Sequence, residues 1–577
     1  MSEQKKPWLS DSIDFDSDIL PYQYIVIYAG VGSGKNTFVD KLVTGNHFKH
    51  ADGSLVPPQN VLLISSRRAK IDEQLKLTNV VYDPAILSNI FATNPFTIDS
   101  KYDDYFDSPQ ITLPDLDGWG VGPAIYARSC AFTNARTEWY IATQYQPKTA
   151  ETHLWERFDM IIIDEAHSLL ADASYQSSPF YIRRLIEETL AHSDKCKVIL
   201  LTGTPQIFNG YSLLEKAHII DRMEICNNVT PKNIHFLPQE EAKEMQEQLL
   251  KDKVKYVAFF NHIKPIRALG KDFPSDVAMS FSRVEEIDDL KKNYPKSYEK
   301  MKEVSNYLSE KKVLPDDVIA FLSTSRNKEG INIKNEDIHI MFAETHNDVD
   351  IIQMAGRLRN PADTLYVTLN STDFHDTDSQ YEASFAEYPP LLQTVNDYFA
   401  HLCIESRFIF GDDLSKNVRS YDKLADFIDF IHAKFPYIRY DYFTNTFLFY
   451  PERRMSKQYA ANQSARYRSA VEQQEGLKEL AHEWFPGSSC TISDRQILEQ
   501  DAQRAVDEYL ADNHWLDAST TVRSAEKAII LEALITLTGK SFKTLGPALK
   551  RYGYILQRLT NSKDANAPCR IIRTTTE

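Results

Sequence analysis

The stretch Ala29–Asp40, AGVGSGKNTFVD, decides how the chain is read. It follows a β-rich run, Tyr24-Ile25-Val26-Ile27-Tyr28, and the spacing predicts strand, glycine loop and helix. Such a loop turns backbone N–H groups inward on phosphate oxygens, and the helix N-terminus adds a favourable dipole. Gly30, Gly32, Ser33 and Gly34 form the loop, and Lys35 would reach the outer phosphates. One position departs from the pattern. Ser or Thr should follow the lysine, but Asn36 stands there, with Thr37 after it. A glycine turn ahead of an ordinary helix is the plain alternative.

A second stretch decides against that alternative. Phe158–Leu170, FDMIIIDEAHSLL, is a fully apolar run, Met160–Ile163, that ends in Asp164-Glu165-Ala166-His167. A run of this kind suits a parallel strand buried on both faces. Its carboxylates then emerge at the C-terminal edge of the sheet, where α/β proteins bind ligands. Asp164 is placed to hold Mg²⁺ and Glu165 to orient or deprotonate an attacking water. A surface acidic turn after a core strand is the rival reading.

Between these lies NVLLISSRRAKIDEQL (Asn60–Leu75), a strand leading to Arg67 and Arg68 at a basic helix start. After them comes KVILLTGTP (Lys197–Pro205). Further on, KYVAFFNH (Lys255–His262), VIAFLSTSRNKEGINI (Val318–Ile333), IHIMFA (Ile338–Ala343) and DIIQMAGRLRNP (Asp350–Pro361) repeat the strand-then-polar-loop arrangement.

In this order the segments resemble motifs I, Ia, II, III, IV, V and VI of superfamily 2 helicases with a DEAH box, from about Tyr22 to Leu369. Tyr140–Tyr145 (YIATQY), with Thr143, is similar to the family's strand-contacting segment before motif II. Residues 94–137 match nothing in the family and look like an insertion. The resemblance implies two tandem RecA-like parallel-sheet domains with ATP and Mg²⁺ between them. It implies that Lys35, Gln353, Gly330 and Arg359 contact nucleotide and that Arg357 is the arginine finger. Arg67, Arg68, Thr143 and Thr324 would meet nucleic acid. Arg359 stands one residue earlier than the family's second arginine, whose place Asn360 takes. That shorter GRxR spacing is similar to herpesvirus-type origin-binding helicases. Arg359 is then either a second finger or a structural ion-pair partner.

The Asn36 substitution fits this reading. Mg²⁺ wants oxygen ligands in tight octahedral geometry. The Asn36 carbonyl oxygen supplies one directly after a small shift, or through a metal-bound water. Thr37 lies about 100° further round the helix and is a poor substitute.

The chain has 577 residues, enough for about three or four domains. Its net charge of −16 argues against wholesale coating of nucleic acid, while leaving room for a local basic groove. The 6 cysteines are scattered without CxxC spacing, which fits reduced thiols in a cytoplasmic protein and no zinc site. The start, MSEQKKPWLSDSIDFDSD, lacks the apolar core of a signal peptide, and no apolar run approaches a membrane span.

Past the motifs the chain reads as mostly helical. Tyr388–Phe410 and Asp422–Lys434 carry apolar residues at helical spacing. Pro451–Arg468 interleaves Arg453, Arg454, Lys457, Arg466 and Arg468 with Tyr459 and Tyr467. That pattern suits either a solvated basic helix or single-strand contact with base stacking. The end of the chain predicts an apolar helix (Glu526–Leu537), a short helix (Leu545–Gly553) and two strands (Tyr554–Leu559 and Cys569–Thr574), which looks like a winged helix. Lys540, Lys543, Lys550, Arg551, Arg558, Lys563, Arg570 and Arg573 make it a local basic module in an acidic protein. DNA binding through Lys550, Arg551 and Arg558 is one reading, and protein docking the other.

The sequence therefore predicts an N-terminal tail (1–20), a first RecA-like domain (21–230), a second (231–375), a helical accessory region (376–520) and a winged-helix-like module (521–577). The function implied is an ATP-dependent DNA helicase or translocase acting on single-stranded or forked DNA, with replication proteins as partners in a phage or mobile element. The alternatives are an RNA helicase and an ATP-driven DNA-gripping switch or loader.

Overall fold

The computed structural model describes residues 8–45, 47–65, 130–134, 137–138, 141, 153–225, 230–281, 284–324, 332–345, 347–369, 388–410, 421–538, 540, 542–559 and 567–573. Two parallel α/β sheets dominate it.

The first sheet is built from β1 (Tyr24–Ala29), β2 (Val61–Ser65), β3 (Cys130–Thr133), β4 (Met160–Asp164), β5 (Lys197–Thr202) and β6 (His218–Arg222). Their order is β3-β2-β4-β5-β1-β6, and every pairing is parallel. The strands are apolar because both faces are covered: Ile25, Ile27, Ile162, Ile199 and Leu201 pack on one face, Val26, Ile161, Ile163, Val198 and Leu200 on the other. Helix α1 (Lys35–Thr44) follows β1, and α2 (Ser178–His192) lies between β4 and β5. Strand β5 separates β1 from β4, with Ile27 opposite Leu201 and Leu201 opposite Asp164. The glycine loop after β1 and the acidic turn after β4 thus leave one sheet edge, with one strand between them. β3 lies inside the segment the sequence reads as an insertion, where CAFT pairs with β2.

Residues 8–20, read from sequence as a tail, pack on this domain. Leu9, Phe15 and Ile19 join its core.

The second sheet contains β7 (Asn233–Pro238), β8 (Tyr256–Phe260), β9 (Val277–Ser280), β10 (Ala320–Thr324), β11 (Ile340–Ala343) and β12 (Thr364–Leu369). Helix α3 (Asp348–Ala355) connects β11 to β12. The C-terminal region then supplies α4 (Tyr388–Phe410), α5 (Asp422–Lys434), a hairpin of β13 (Ile438–Asp441) and β14 (Thr446–Phe449), α6 (Pro451–Glu472) and α7 (Gln474–Trp484). Its next strand, β15 (Ser489–Ile492), returns to the second sheet and pairs parallel with β7. The sheet order is β15-β7-β12-β11-β8-β10-β9. These are two tandem RecA-like parallel-sheet domains with a mostly helical region after them.

The chain closes with α8 (Asp494–Asp512), α9 (Ser524–Thr538), α10 (Leu545–Arg551) and an antiparallel hairpin of β16 (Tyr554–Arg558) and β17 (Cys569–Arg573). Val506, Leu510, Ile530, Leu534, Leu549, Tyr554 and Ile571 give these elements a core of their own. No helix among the described residues is long and apolar enough to cross a membrane.

Candidate functional site at the junction of the two sheets

The loop after β1 has the conformation that its glycines permit. Gly32 and Gly34 have φ of 80° and 91°, values that a side chain would strain. Gly34 then caps α1, so the first N–H groups of that helix point into the loop. The Lys35 ammonium, 6% exposed, donates to Ala29 O at 3.1 Å and to Gly30 O at 3.3 Å. The lysine is thus held on two carbonyls of its own loop. Ser33 Oγ is buried without a hydrogen-bond partner among the described residues, inside the same cradle. Gly203, from the TGTP turn after β5, closes the floor: a Cβ there would lie 3.4 Å from Lys35 Nζ. Asn36 is half-buried and Thr37 exposed.

The N-terminal segment, a tail by its sequence, seals the outer side. Leu9 N–H donates to Ser33 O at 2.9 Å, and Lys41 Nζ donates to Ser10 Oγ at 2.8 Å and Asp11 Oδ1 at 3.2 Å. The Trp8 indole lies on Gly34, where any Cβ would overlap its ring. A tryptophan and a serine–aspartate pair in a polar leader carry no periodic signal, so only the fold brings them here.

Asp164 and Glu165 are buried, 2% and 5% exposed, at the end of β4. Asp164 Oδ1 accepts from the Glu165 N–H at 2.9 Å. Glu165 adopts φ 50°, a rare conformation for a residue with a side chain. That turn directs its carboxylate across the cleft while Ala166 N–H donates to Leu201 O at 2.8 Å. His167 is fully buried, with Nδ1 3.6 Å from Glu165 Oε2.

The opposite wall comes from the second domain. Gln353, on α3, donates from Nε2 to Glu165 Oε2 at 3.5 Å, the long limit of a hydrogen bond. Arg357, just past the helix and 5% exposed, donates from Nε to Gln353 O at 2.9 Å and from a terminal nitrogen to Gln353 Oε1 at 3.1 Å. Gly356 meets Val31 of the phosphate loop, where a Cβ would overlap Val31 Cγ1. Lys35, Asp164, Glu165, Gln353 and Arg357 therefore line one cleft between the two sheets.

The other expected residues fall elsewhere. Arg359 is half-buried, and its N–H donates to Ile333 O at 2.9 Å. Asn360 takes a structural part: its amide donates to Lys334 O at 3.0 Å and Asn335 O at 3.2 Å. Thr324 ends β10. Arg67, Arg68, Thr143 and Gly330 lie outside the described residues. Lys550, Arg551 and Arg558 are exposed on α10 and β16.

The base-stacking reading of Pro451–Arg468 is corrected. Tyr467 is 2% exposed, and Tyr459 packs against the first-domain core with its hydroxyl donating to Asp348 Oδ1 at 2.5 Å. Both rings are spent on the interior. The cation–aromatic alternation is the period of a helix with two buried faces.

The donor set suits a magnesium nucleotide. The glycine loop offers inward N–H groups, a buried ammonium and an unpartnered Ser33 hydroxyl over a glycine floor, and the turn after β4 adds two buried carboxylates from the same sheet edge.

No protein-family model and no curated protein matches the sequence. Among solved structures the chain is similar to S. cerevisiae Dbp5 bound to RNA and ADP BeF3, with 13% identity over 64% of this chain and 85% of that one and a TM-score of 0.40. It is also similar to Mycobacterium smegmatis helicase Lhr bound to ssDNA and AMP-PNP (11%, 87% and 72%, TM-score 0.43). A third is DUF1998 helicase MrfA bound to DNA (15%, 64% and 46%, TM-score 0.37). The RecA-like reading of the fold stands on strand order and register, not on these similarities.

Proposed function

We propose that the chain is an ATP hydrolase that moves on or unwinds DNA, a DEAH-type superfamily 2 helicase or translocase. The single observation that carries the reading is the meeting of Glu165 with Gln353, itself held by Arg357, across the cleft that holds Lys35.

In this reading Lys35 leaves Ala29 O and Gly30 O to bind the outer phosphates. Glu165 takes a proton from the attacking water. Gln353 holds that carboxylate in place, and Arg357 swings from Gln353 toward the charge that develops on the transferred phosphoryl group. Asp164 and Asn36 would hold Mg²⁺, which when bound offsets phosphate charge. The cleft closes when both walls engage nucleotide and opens after hydrolysis, so that strand-contacting segments around Arg67, Arg68, Thr143 and Thr324 shift with each cycle. Gly330 and Arg359 complete the nucleotide contacts from the second domain.

The C-terminal elements serve as a winged-helix-like DNA module, with Lys550, Arg551 and Arg558 on phosphates. The Gly356-Arg357-Leu358-Arg359 spacing supports a role in opening duplex during phage or mobile-element replication, alongside replication proteins in the cytoplasm.

ATP hydrolysis measured side by side with single-stranded DNA, duplex DNA and RNA tests the reading, together with strand displacement on a forked duplex. DNA-stimulated turnover with displacement is the expected result. Stimulation by RNA alone makes it an RNA helicase, and DNA-stimulated turnover without displacement makes it a switch or loader. No turnover with any of the three rejects the proposal.

A further inference from the structure

Asp348 opens α3, the helix that carries Gln353 and leads to Arg357. Its carboxylate is 7% exposed and is held from several sides. The Tyr459 hydroxyl donates to Oδ1 at 2.5 Å and the Gln463 amide to Oδ2 at 3.3 Å, both from α6. The Val349 N–H donates to Oδ1 at 2.7 Å. Val349, the next residue of α3, packs in the first-domain core. The start of the second-domain helix is thus tied both to the accessory helix and to the first-domain core.

Helix α6 is itself anchored in both domains. At its start Glu452 is fully buried, in an ion pair with Arg183 Nε at 2.8 Å and accepting a hydrogen bond from the Tyr211 hydroxyl at 2.7 Å, both first-domain groups. Towards its end Tyr467 and Ala470 lie in the second-domain core. Its 22 residues make a rod about 33 Å long.

Asp348 is not needed to start α3. Asn347 already caps the helix, accepting from Asp350 N–H at 3.2 Å. Burial pushes the Asp348 carboxyl above the ordinary carboxylate range, and the bonds from Tyr459 and Val349 pull it back. A costly buried carboxylate whose side-chain partners both lie on another element fixes relative position rather than local structure.

We propose that Asp348, Tyr459 and Gln463 are positioning residues that set α3 against the first domain, so that Gln353, with Arg357 bound to it, engages Glu165 only when α6 is docked on both domains. The inference rests on the ATPase reading above. Asp348 lies five residues before Gln353, about 7.5 Å along the helix, so a tilt at Asp348 is carried directly to the groups that face Glu165.

The test uses the full chain, with steady-state and single-turnover ATP hydrolysis in the presence of single-stranded DNA or RNA. Tyr459→Phe removes one hydroxyl and keeps the ring. Its kcat should fall about tenfold, the scale of one hydrogen bond to a charged group, with KM for ATP within about twofold. Asp348→Asn, which keeps an acceptor for the tyrosine, should lose less than Asp348→Ala. In an Arg357→Ala background, Tyr459→Phe should cost less than about twofold, because a positioning residue acts through the group it positions. Parental kcat in Tyr459→Phe overturns the inference, and so does an equal fold-loss in both backgrounds. A parent protein that hydrolyses no ATP with either nucleic acid rejects the ATPase reading instead, and that is visible before any variant is made.

Discussion

Gly356 of the second domain and Val31 of the phosphate loop are packed so closely that a methyl group on Gly356 would overlap Val31 Cγ1 and lie 3.0 Å from Val31 Cβ. Gly356 has an ordinary helical φ of −65°, so its missing side chain answers to this contact and not to backbone strain. Gly356→Ala should therefore hold the cleft apart. Overpacking of this size costs about 1–3 kcal/mol. We expect ATP turnover to fall at least tenfold, and Val31→Ala in the same protein to restore part of it. Turnover unchanged in Gly356→Ala would show that the working state does not bring the two walls this close.

Glu165→Gln should still bind ATP but hydrolyse it more than a hundredfold more slowly, since the amide cannot take a proton. Lys35→Ala should weaken nucleotide binding itself, because Lys35 is the ammonium held inside the glycine loop. Titration with a fluorescent ATP analogue, paired with turnover, separates the two. Near-parental turnover in Glu165→Gln would remove that residue from the chemistry.

Asn36 is half-buried and Thr37 exposed, so the first is the better placed to reach a metal ion in the cradle. Asn36→Thr should keep activity, and Asn36→Ala should lose more than Thr37→Ala. The loss should shrink as Mg²⁺ is raised. An Asn36→Ala protein with the parental Mg²⁺ dependence would exclude a metal role.

The exposed Lys550 and Arg551 sit on α10, away from the cleft residues in sequence and in fold. Reversing both to Glu should lower DNA affinity and leave basal ATP hydrolysis near the parental rate. The log–log salt dependence should flatten by about 0.7–0.9 for every phosphate that the protein no longer neutralises. Unchanged affinity with an unchanged slope favours protein docking for this module.

The cleft is legible in the sequence where chemistry and local pattern coincide. Met160–Ile163 announces a doubly buried strand and Gly32–Lys35 a loop with inward amides, because both signals lie within a few residues. The Asp348 junction is not legible. Tyr459 reads as an aromatic among the cations of a basic helix, Gln463 carries no signal of its own, and only the seating of α6 on two domains turns them inward. Strand β3 hides inside a stretch without family pattern, and Trp8 in a polar leader. β15 is four residues, SCTI, too short and too mixed to separate from the helices around it.

That last strand has a consequence for synthesis. Ser489 hydrogen-bonds Asn233 from 256 residues away, and β15 covers the outer edge of β7. At about 5–20 residues per second, the ribosome needs roughly 13–50 s to supply the cover. Until then the nascent second domain carries a bare strand whose unpaired N–H and C=O groups invite any neighbouring chain. Truncations ending before Ser489 should thus be recovered as aggregates, while the first domain, whose β1–β6 are complete by Arg222, folds ahead of them.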